Sequence, residues 1–574
     1  MMVNFYILLI FLFWIISILG YGSILSFFYN SPKLNKFGNF KNIRLAVFGI
    51  FGLTIISLLG NLANFFIPLS LIFSIIIFSL GAVLFAINFK KIFYGYGRSE
   101  IILIIVLFIY LLFVPLNWAS HYDTGYYYLP SIKWLRESFV PLGLANLHGQ
   151  LGFNSSWFTV AAIVETPLLI KESPLFIINA LMMFFYGSAA FLTFLEKIRV
   201  GKILFSDYFL VFTLIPWLIR TRPNMASPAP DLPAMLIVLF VMYLLIRCFE
   251  EKENNYFYFF NSIIFSAFAV TIRFSTLPIL IGSILSFVYY GVFIRKNFYL
   301  KNSGKLVFKN SIFYKNLIIP FFLVLISWIT RGIILSGCIA YPSNLGYFKN
   351  LQWSANPKSA SKYIISWARG GLHASPKEVL GNWRWLKPWV IRFVKSGDKI
   401  ILLILIVGLL LLIAAIIRKN FLNSNKYYSS FFVPLIISFS GITFWFFTAP
   451  EPRYGYGFLF AFALLIFSYG FYTLKLPKYE EVSKLAVAFV IVLFFLVEIV
   501  PLNVSIDKIF TNTWPKMPEV EVIEKTTNEG VKINVPAKGD QCWYMELPAT
   551  PNFNSDLKII FSKDEKYKMF YYSK

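Results

Sequence analysis

The stretch WASHYDTGYYYLPSIKWLRESFVPLGLANLHGQLGFNSSW, residues 118–157, decides the fold by its contrast with what flanks it. It holds an acid, two histidines, a tight aromatic cluster and several Gly and Asn residues. The run before it, IILIIVLFIYLLFVPLN (101–117), is almost purely apolar. Many such runs of roughly 18 to 25 residues follow one another, each long enough to cross a hydrocarbon core of about 30 Å. The 574 residues are 58% hydrophobic and only 14% charged, with mean hydropathy +0.69. A soluble domain of this size has too few polar groups there to cover itself. The weak alternating segments of about ten residues that mark a membrane barrel are not the pattern. The sequence predicts an all-α polytopic membrane protein.

About fourteen transmembrane helices follow from run length: 3–27, 45–60, 66–89, 100–117, 174–195, 204–220, 231–248, 256–272, 274–294, 316–335, 399–417, 429–447, 454–474 and 483–502. The first is too long for a signal-peptide core and lacks a small-residue cleavage site, so it reads as a retained helix. The connecting loops sort by charge. One set carries Lys41 and Arg44, Lys90 and Lys91, Lys197 and Arg199, Arg247, Arg418 and Lys419, and Lys475. The positive-inside rule assigns that set to the cytoplasm. The opposite set comprises 118–157, RTRPNMASPAPD (220–231), the turn at Arg273, the loop 336–398, TAPEPRYG (448–455) and the tail from 503. Both termini then lie outside with it. The segment 157–171, containing Glu165, is marginal in length and reads as interfacial or re-entrant. Counting it as a full span would invert every later loop.

Three regions follow: N-terminal transmembrane helices (1–99), a transmembrane core with outer loops 118–173 and 336–398 (100–502), and a small extracytoplasmic domain (503–574). The tail is polar and Pro-punctuated, and its alternating stretches VKINVP and QCWYMELP predict a partly β domain. The formal net charge of +25 resides largely in short inter-span loops, with no basic helix of the nucleic-acid type, so no nucleic-acid partner is expected. Three cysteines make no disulfide framework. Cys338 and Cys542 would lie on one side and are read as unpaired thiols rather than a bridge.

Asp123 follows a span ending near Asn117, at the membrane–water boundary. Partial desolvation raises the basicity of a carboxylate there, which suits it to accept a proton from a bound hydroxyl. The structural alternative is a cap for a helix beginning near Thr124, with Tyr127, Leu129, Ile132, Trp134 and Leu135 forming its apolar surface. Asp231 opens a span after SPAP and reads first as a helix-start acid. His121, His148 and His373 match no zinc spacing, although two histidines with Asp123 leave a divalent metal open. Tyr126, Tyr127, Tyr128, Trp134 and Trp157 read first as an interfacial aromatic belt. The loop 336–398, with WSANPKSASKYIISWARG and NWRWLKPW, predicts amphipathic helices lying on the membrane.

An acid just after an early span, in the first large outer loop, within Tyr122-Asp123-Thr124-Gly125-Tyr126-Tyr127 and before an interfacial helix, resembles the GT-C superfamily of multi-span glycosyltransferases that use lipid-linked sugars. Ala449-Pro450-Glu451-Pro452-Arg453-Tyr454 resembles a Pro-Arg-Tyr turn in some of its members. Together with Asn146-Leu147-His148-Gly149 and Gly152-Phe153-Asn154, these strings look like a group of bacterial multi-pass membrane proteins. The resemblance covers roughly residues 100–460 as architecture. Three helices precede the acidic loop where a simple member has one.

The resemblance implies a GT-C-like core in the bacterial cytoplasmic membrane, with the active site facing outside. It implies an inverting sugar transfer with Asp123 as catalytic base, and a polyprenyl-phosphate-linked sugar as donor. The acceptor would be a glycan, a lipid or a protein, with membrane lipids around it. Arg273, Arg331 and Arg453 at outer helix ends, and Arg222, would hold the donor phosphate through guanidinium forks. His121, Tyr126, Tyr127, Asn146, His148, Asn154, Asp231 and Glu451 are the candidate substrate contacts, with Glu451 alternatively pairing to Arg453. A transporter or flippase, or a polymerase of lipid-linked glycans, is the rival. Transport would favour charges near the bilayer midplane, and the span interiors here are nearly free of them.

Overall fold

The computed structural model describes residues 2–28, 37–116, 121–165, 176–200, 203–216, 222–251, 255–291, 311–371, 375–418, 428–474, 517–562 and 567–573. Among the described residues, eight helices are long and apolar enough to cross a membrane: Phe40–Asn64, Leu71–Ile92, Ile178–Arg199, Asp231–Glu250, Ile318–Ser336, Lys399–Ile417, Ser429–Thr448 and Pro452–Leu474. Expected spans at 3–27, 204–220, 256–272 and 274–294 coincide with shorter apolar helices. That at 100–117 is the 15-residue helix Arg98–Leu112, and 483–502 lies outside the described residues.

The helices separate into inner and outer ones. Asp231–Glu250 is buried along nearly its whole length. Lys399–Ile417 instead leaves Leu403, Ile406, Leu410, Ile413 and Ile417 exposed, and Leu71–Ile92 does the same with Ile75, Ile76, Leu80, Val83 and Ile87. Apolar stripes of that extent face a hydrocarbon solvent rather than water. Between helices, small residues permit close approach. A Cβ on Gly20 would sit 1.9 Å from the Gly81 carbonyl oxygen, so the first helix and Leu71–Ile92 touch backbone to backbone.

The polar side chains gather at two ends of the bundle. At one end Glu100 receives Lys41 at 2.8 Å and Arg199 at 3.2 Å, and Lys197 lies 3.4 Å from Asp207. Arg247 and Glu250 join this group at the last turn of Asp231–Glu250. Asp231 stands at the first turn of the same helix, about 24 Å away by the rise of 1.5 Å per residue. Lys41, Lys197, Arg199 and Arg247 therefore share one end of the bundle, and Asp231 lies toward the other.

Three expectations need correction. The described part of 157–171 is a nine-residue helix, Ser156–Val164, with every residue buried inside the protein. At about 14 Å it is too short to span, and burial of every residue by protein removes the interfacial alternative and leaves the re-entrant one. The Glu165 carboxylate accepts from the Ile177 and Ile178 backbone N–H groups at 3.2 and 2.9 Å, capping the next helix. Second, Tyr127, Tyr128, Trp134 and Trp157 are buried against other protein groups, so they form core and not an aromatic belt; only Tyr126 is half-buried. Third, QCWYMELP is irregular chain. The C-terminal region consists of two antiparallel pairs, Val522–Thr526 with Lys532–Pro536 and Lys558–Phe561 with Tyr567–Tyr571. Cys248, Cys338 and Cys542 are buried thiols.

Candidate active site

Four segments distant in sequence converge at the second end of the bundle. The turn 121–128 contributes His121 and Asp123, the start of Asp231–Glu250 contributes Asp231, the end of Asn255–Ile272 is followed by Arg273, and the start of Pro452–Leu474 contributes Arg453. Arg453 is the hub. Its Nη1 donates to Asp123 Oδ2 at 2.9 Å and to His121 Nε2 at 2.7 Å, and lies 3.8 Å from Asp231 Oδ2. Arg273 pairs with the other Asp231 oxygen. Tyr128 Oη–H donates to Asp123 Oδ2 at 3.3 Å. Asp123 makes no capping hydrogen bond to the following turn. The carboxylate that sequence pattern allowed as a cap is thus committed to the cluster.

Burial explains why the groups pair. The Asp231 side chain is 1% exposed, against 15% for Asp123, 18% for Arg273 and 19% for Arg453. A buried carboxylate needs cations and donors in place of water, and here two guanidiniums serve two carboxylates. His121 adds no charge. Burial, reinforced by the Arg453 guanidinium, pulls its imidazole down to about 4. Its Nε2 faces Arg453 Nη1 at 2.7 Å, and its Nδ1 faces the Asp123 backbone N–H at 3.2 Å and Asp123 Oδ2 at 3.9 Å. The cluster is therefore close to neutral at pH 7.

Aromatic rings wall the cations. The Arg273 guanidinium lies 4.0 Å from the Tyr454 ring centroid, and that of Arg453 lies 5.2 Å from the rings of both Tyr454 and Trp367. Trp367 belongs to the amphipathic helix Pro357–Gly370, so the loop 336–398 covers the cluster. Beneath the pairs, Asp231, Val238, Arg273, Thr276, Arg453 and Tyr454 line a cavity of about 10 Å³, room for roughly one water.

The other expected site residues are placed as follows. Arg331 is not brought to the cluster. It is buried in the helix Ser311–Ser336, where Nη1 donates to Asn64 Oδ1 at 2.7 Å. Asn64 in turn donates to the Leu135 and Ser138 carbonyls, so Arg331 braces the outer loop from below. Arg222 starts a short helix and its side chain lies outside the described residues, as does His373. Glu451 does not pair with Arg453. Its carbonyl oxygen accepts from Trp445 Nε1 at 2.7 Å, while among the described residues its carboxylate makes no hydrogen bond or ion pair, and burial pushes that carboxyl upward. Asn146 donates to the Trp353 and Phe570 carbonyls at 2.8 and 3.0 Å, and Asn154 to the Trp328 carbonyl at 2.5 Å, so both tie loops together. His148 is buried with its ring centroid 4.9 Å from that of Tyr126, and burial holds its imidazole down at about 3. Tyr127 packs edge-on to Phe153 and Phe158. Among the described residues no three His, Cys, Asp or Glu side chains are grouped to hold a metal ion.

Sequence reading missed Trp367, Tyr454 and Tyr128 as partners of the charged groups. Tyr454 adjoins Arg453 in the turn quoted above, and that adjacency was the available signal. Nothing local marked Trp367.

The fold and site define an α-helical protein, with helices long and apolar enough to cross a membrane, that holds a buried Asp–Arg–His cluster at one end of its helix bundle. The chain belongs to the family described as Domain of unknown function (DUF8201), whose model matches residues 2–460. Searches of curated proteins and of solved structures return no match.

Proposed function

We propose that the chain is an inverting membrane glycosyltransferase that moves a sugar from a polyprenyl-phosphate donor to an acceptor hydroxyl at the outer face of the cytoplasmic membrane. The observation that carries this reading is the direct Asp123–Arg453 pair, 2.9 Å long, set beside Arg273 beneath Trp367. A base and an anion-binding group share one site.

The pairing also gives the reading a sequence of events. A donor phosphate competes with Asp123 for Arg453, beside the Arg273 guanidinium. When Arg453 turns to phosphate, Asp123 loses its counter-ion and becomes a stronger proton acceptor. Asp123 then takes the proton of the acceptor hydroxyl as that oxygen bonds to the anomeric carbon. The carbon–oxygen bond to the lipid phosphate breaks, and its electron pair stays on the phosphate oxygen facing the guanidiniums. Donor binding and base activation are one exchange of ion pairs. The Asp231–Arg273 pair keeps the site assembled meanwhile, and the activated donor supplies the driving force.

The test is transfer of a radiolabelled sugar from polyprenyl phosphate by the purified protein in vesicles. Asp123→Asn lowers the rate by about 10²- to 10⁴-fold, the range for loss of a general base, with the same elution profile and helix content. Transfer at the normal rate by that variant removes Asp123 from the mechanism, and movement of donor across the vesicle without covalent change replaces transfer by transport.

A further inference from the structure

The C-terminal region 517–573 lies beyond the residues matched to the family, yet it contacts the loop that carries Asp123 at two separate places. The first is an anchor. Leu142 N–H donates to the Lys568 carbonyl and Phe570 N–H to the Leu142 carbonyl, both at 2.9 Å. Trp134 packs on the rings of Tyr567 and Phe570, with centroids 5.4 and 5.6 Å apart. Thr550 Oγ1 donates to the Leu147 carbonyl at 2.9 Å.

The second contact is of a different kind. Residues Asp540–Tyr544 run across the turn 122–133 and bracket residue 123. On one side, Gln541 Nε2 donates to the Tyr122 carbonyl at 2.7 Å, and the Tyr122 hydroxyl bonds to Asp540. On the other, Trp543 N–H donates to the Gly125 carbonyl at 2.8 Å. The Trp543 indole lies so close to Gly125 that an added Cβ would stand 2.4 Å from its Cε2. Further along, Lys133 Nζ donates to the Tyr544 carbonyl at 3.2 Å and sits 4.4 Å from that ring. The turn so held, Thr124–Tyr128, is π-helical. Such wide turns are less stable than α-helix and persist where outside contacts hold them.

We propose that Asp540–Tyr544 is a strap that positions the Asp123 turn, with Trp543 as its positioning residue. The domain then sets the direction of the Asp123 carboxylate toward Arg453 from outside the membrane core. The role in sugar transfer rests on the function proposed above; the strap itself does not.

Hydrogen exchange on the full-length protein tests the strap without any substrate. Trp543→Ala raises exchange of the amides in 121–128 by roughly tenfold or more, the signature of local opening, and leaves those in 142–151 unchanged. Gln541→Ala, a milder change at the same strap, acts in the same direction. Unchanged exchange in 121–128 for both variants overturns the proposal, as does an equal rise in 142–151, which would mean the whole domain had come off. In the transfer assay Trp543→Ala lowers kcat by roughly 10- to 100-fold, as misplacement of a reacting group does. Donor KM changes little and Trp543→Phe recovers most of the rate. If exchange behaves as expected while the unaltered protein transfers no sugar, the strap stands and the glycosyltransferase reading falls.

Discussion

Asp231→Asn is the most informative single change, because it separates the charge balance of the cluster from its chemistry. The substitution keeps the side-chain shape and removes one negative charge. Two carboxylates, Asp123 and Asp231, face two guanidiniums, and His121 is neutral. With Asp231 uncharged, Arg273 loses its carboxylate partner. Breaking a fully buried pair leaves a penalty of about 3–5 kcal/mol. Arg273 and Arg453 keep 18% and 19% of their side-chain surface exposed. Water relieves part of the penalty, leaving a destabilisation of about 2–4 kcal/mol. The stranded guanidinium is then open to an added anion. Inorganic pyrophosphate at a hundred times its Kd would return about 2.7 kcal/mol. The assay is thermal unfolding of the detergent-solubilised protein with and without pyrophosphate, on Asp231→Asn, Arg273→Gln and the double variant. The double variant restores charge balance, so its loss should be smaller than the sum of the single losses by about 1–3 kcal/mol. Strictly additive losses, or an Asp231→Asn protein as stable as the parent and indifferent to pyrophosphate, would refute the charge-balance argument.

Further expectations concern other parts of the same region. Arg453→Lys keeps the charge but replaces the planar guanidinium, whose Nη1 now reaches both Asp123 and His121, with a compact ammonium on a shorter stem, and should lower sugar transfer at least about tenfold without loss of helix content by circular dichroism. The stability contributed by His148 should be lost as pH drops from about 6.5 toward 4, because the unfolded chain protonates that ring near 6.5 while the fold holds it neutral down to about 3. His121, held at about 4, acts with the same sign. Each contributes about 3 kcal/mol over that window, while the buried Glu165 carboxyl, pushed up to about 8, acts with the opposite sign; His148→Phe should therefore remove one proton's worth of pH dependence from the unfolding free energy, and an unchanged dependence would show that His148 is solvated. Gly125→Ala forces the Trp543 indole aside and should cost about 1–3 kcal/mol, read as a lower unfolding midpoint that Trp543→Ala in the same chain partly reverses.

The sequence by itself determined the strongly apolar, mostly helical class, the approximate places of most long helices and the sorting of charge between loops. These depend on run length and loop charge, which are local properties. Tyr122–Tyr127 and Ala449–Tyr454 were legible as candidate site strings, and they do meet. Only the tertiary structure decided which groups face one another. Arg453 bonds Asp123 across 330 positions of sequence, whereas Arg331, an equally plausible cation by pattern, turns to Asn64 instead. Glu451, two residues from Arg453, leaves that guanidinium to the aspartates. The alternating stretch QCWYMELP is a strap and not a strand, because the surface it fits is the π-turn at Gly125. Pairing of buried charges depends on distance in space and on what else excludes water, and neither is written in the neighbours of a residue along the chain.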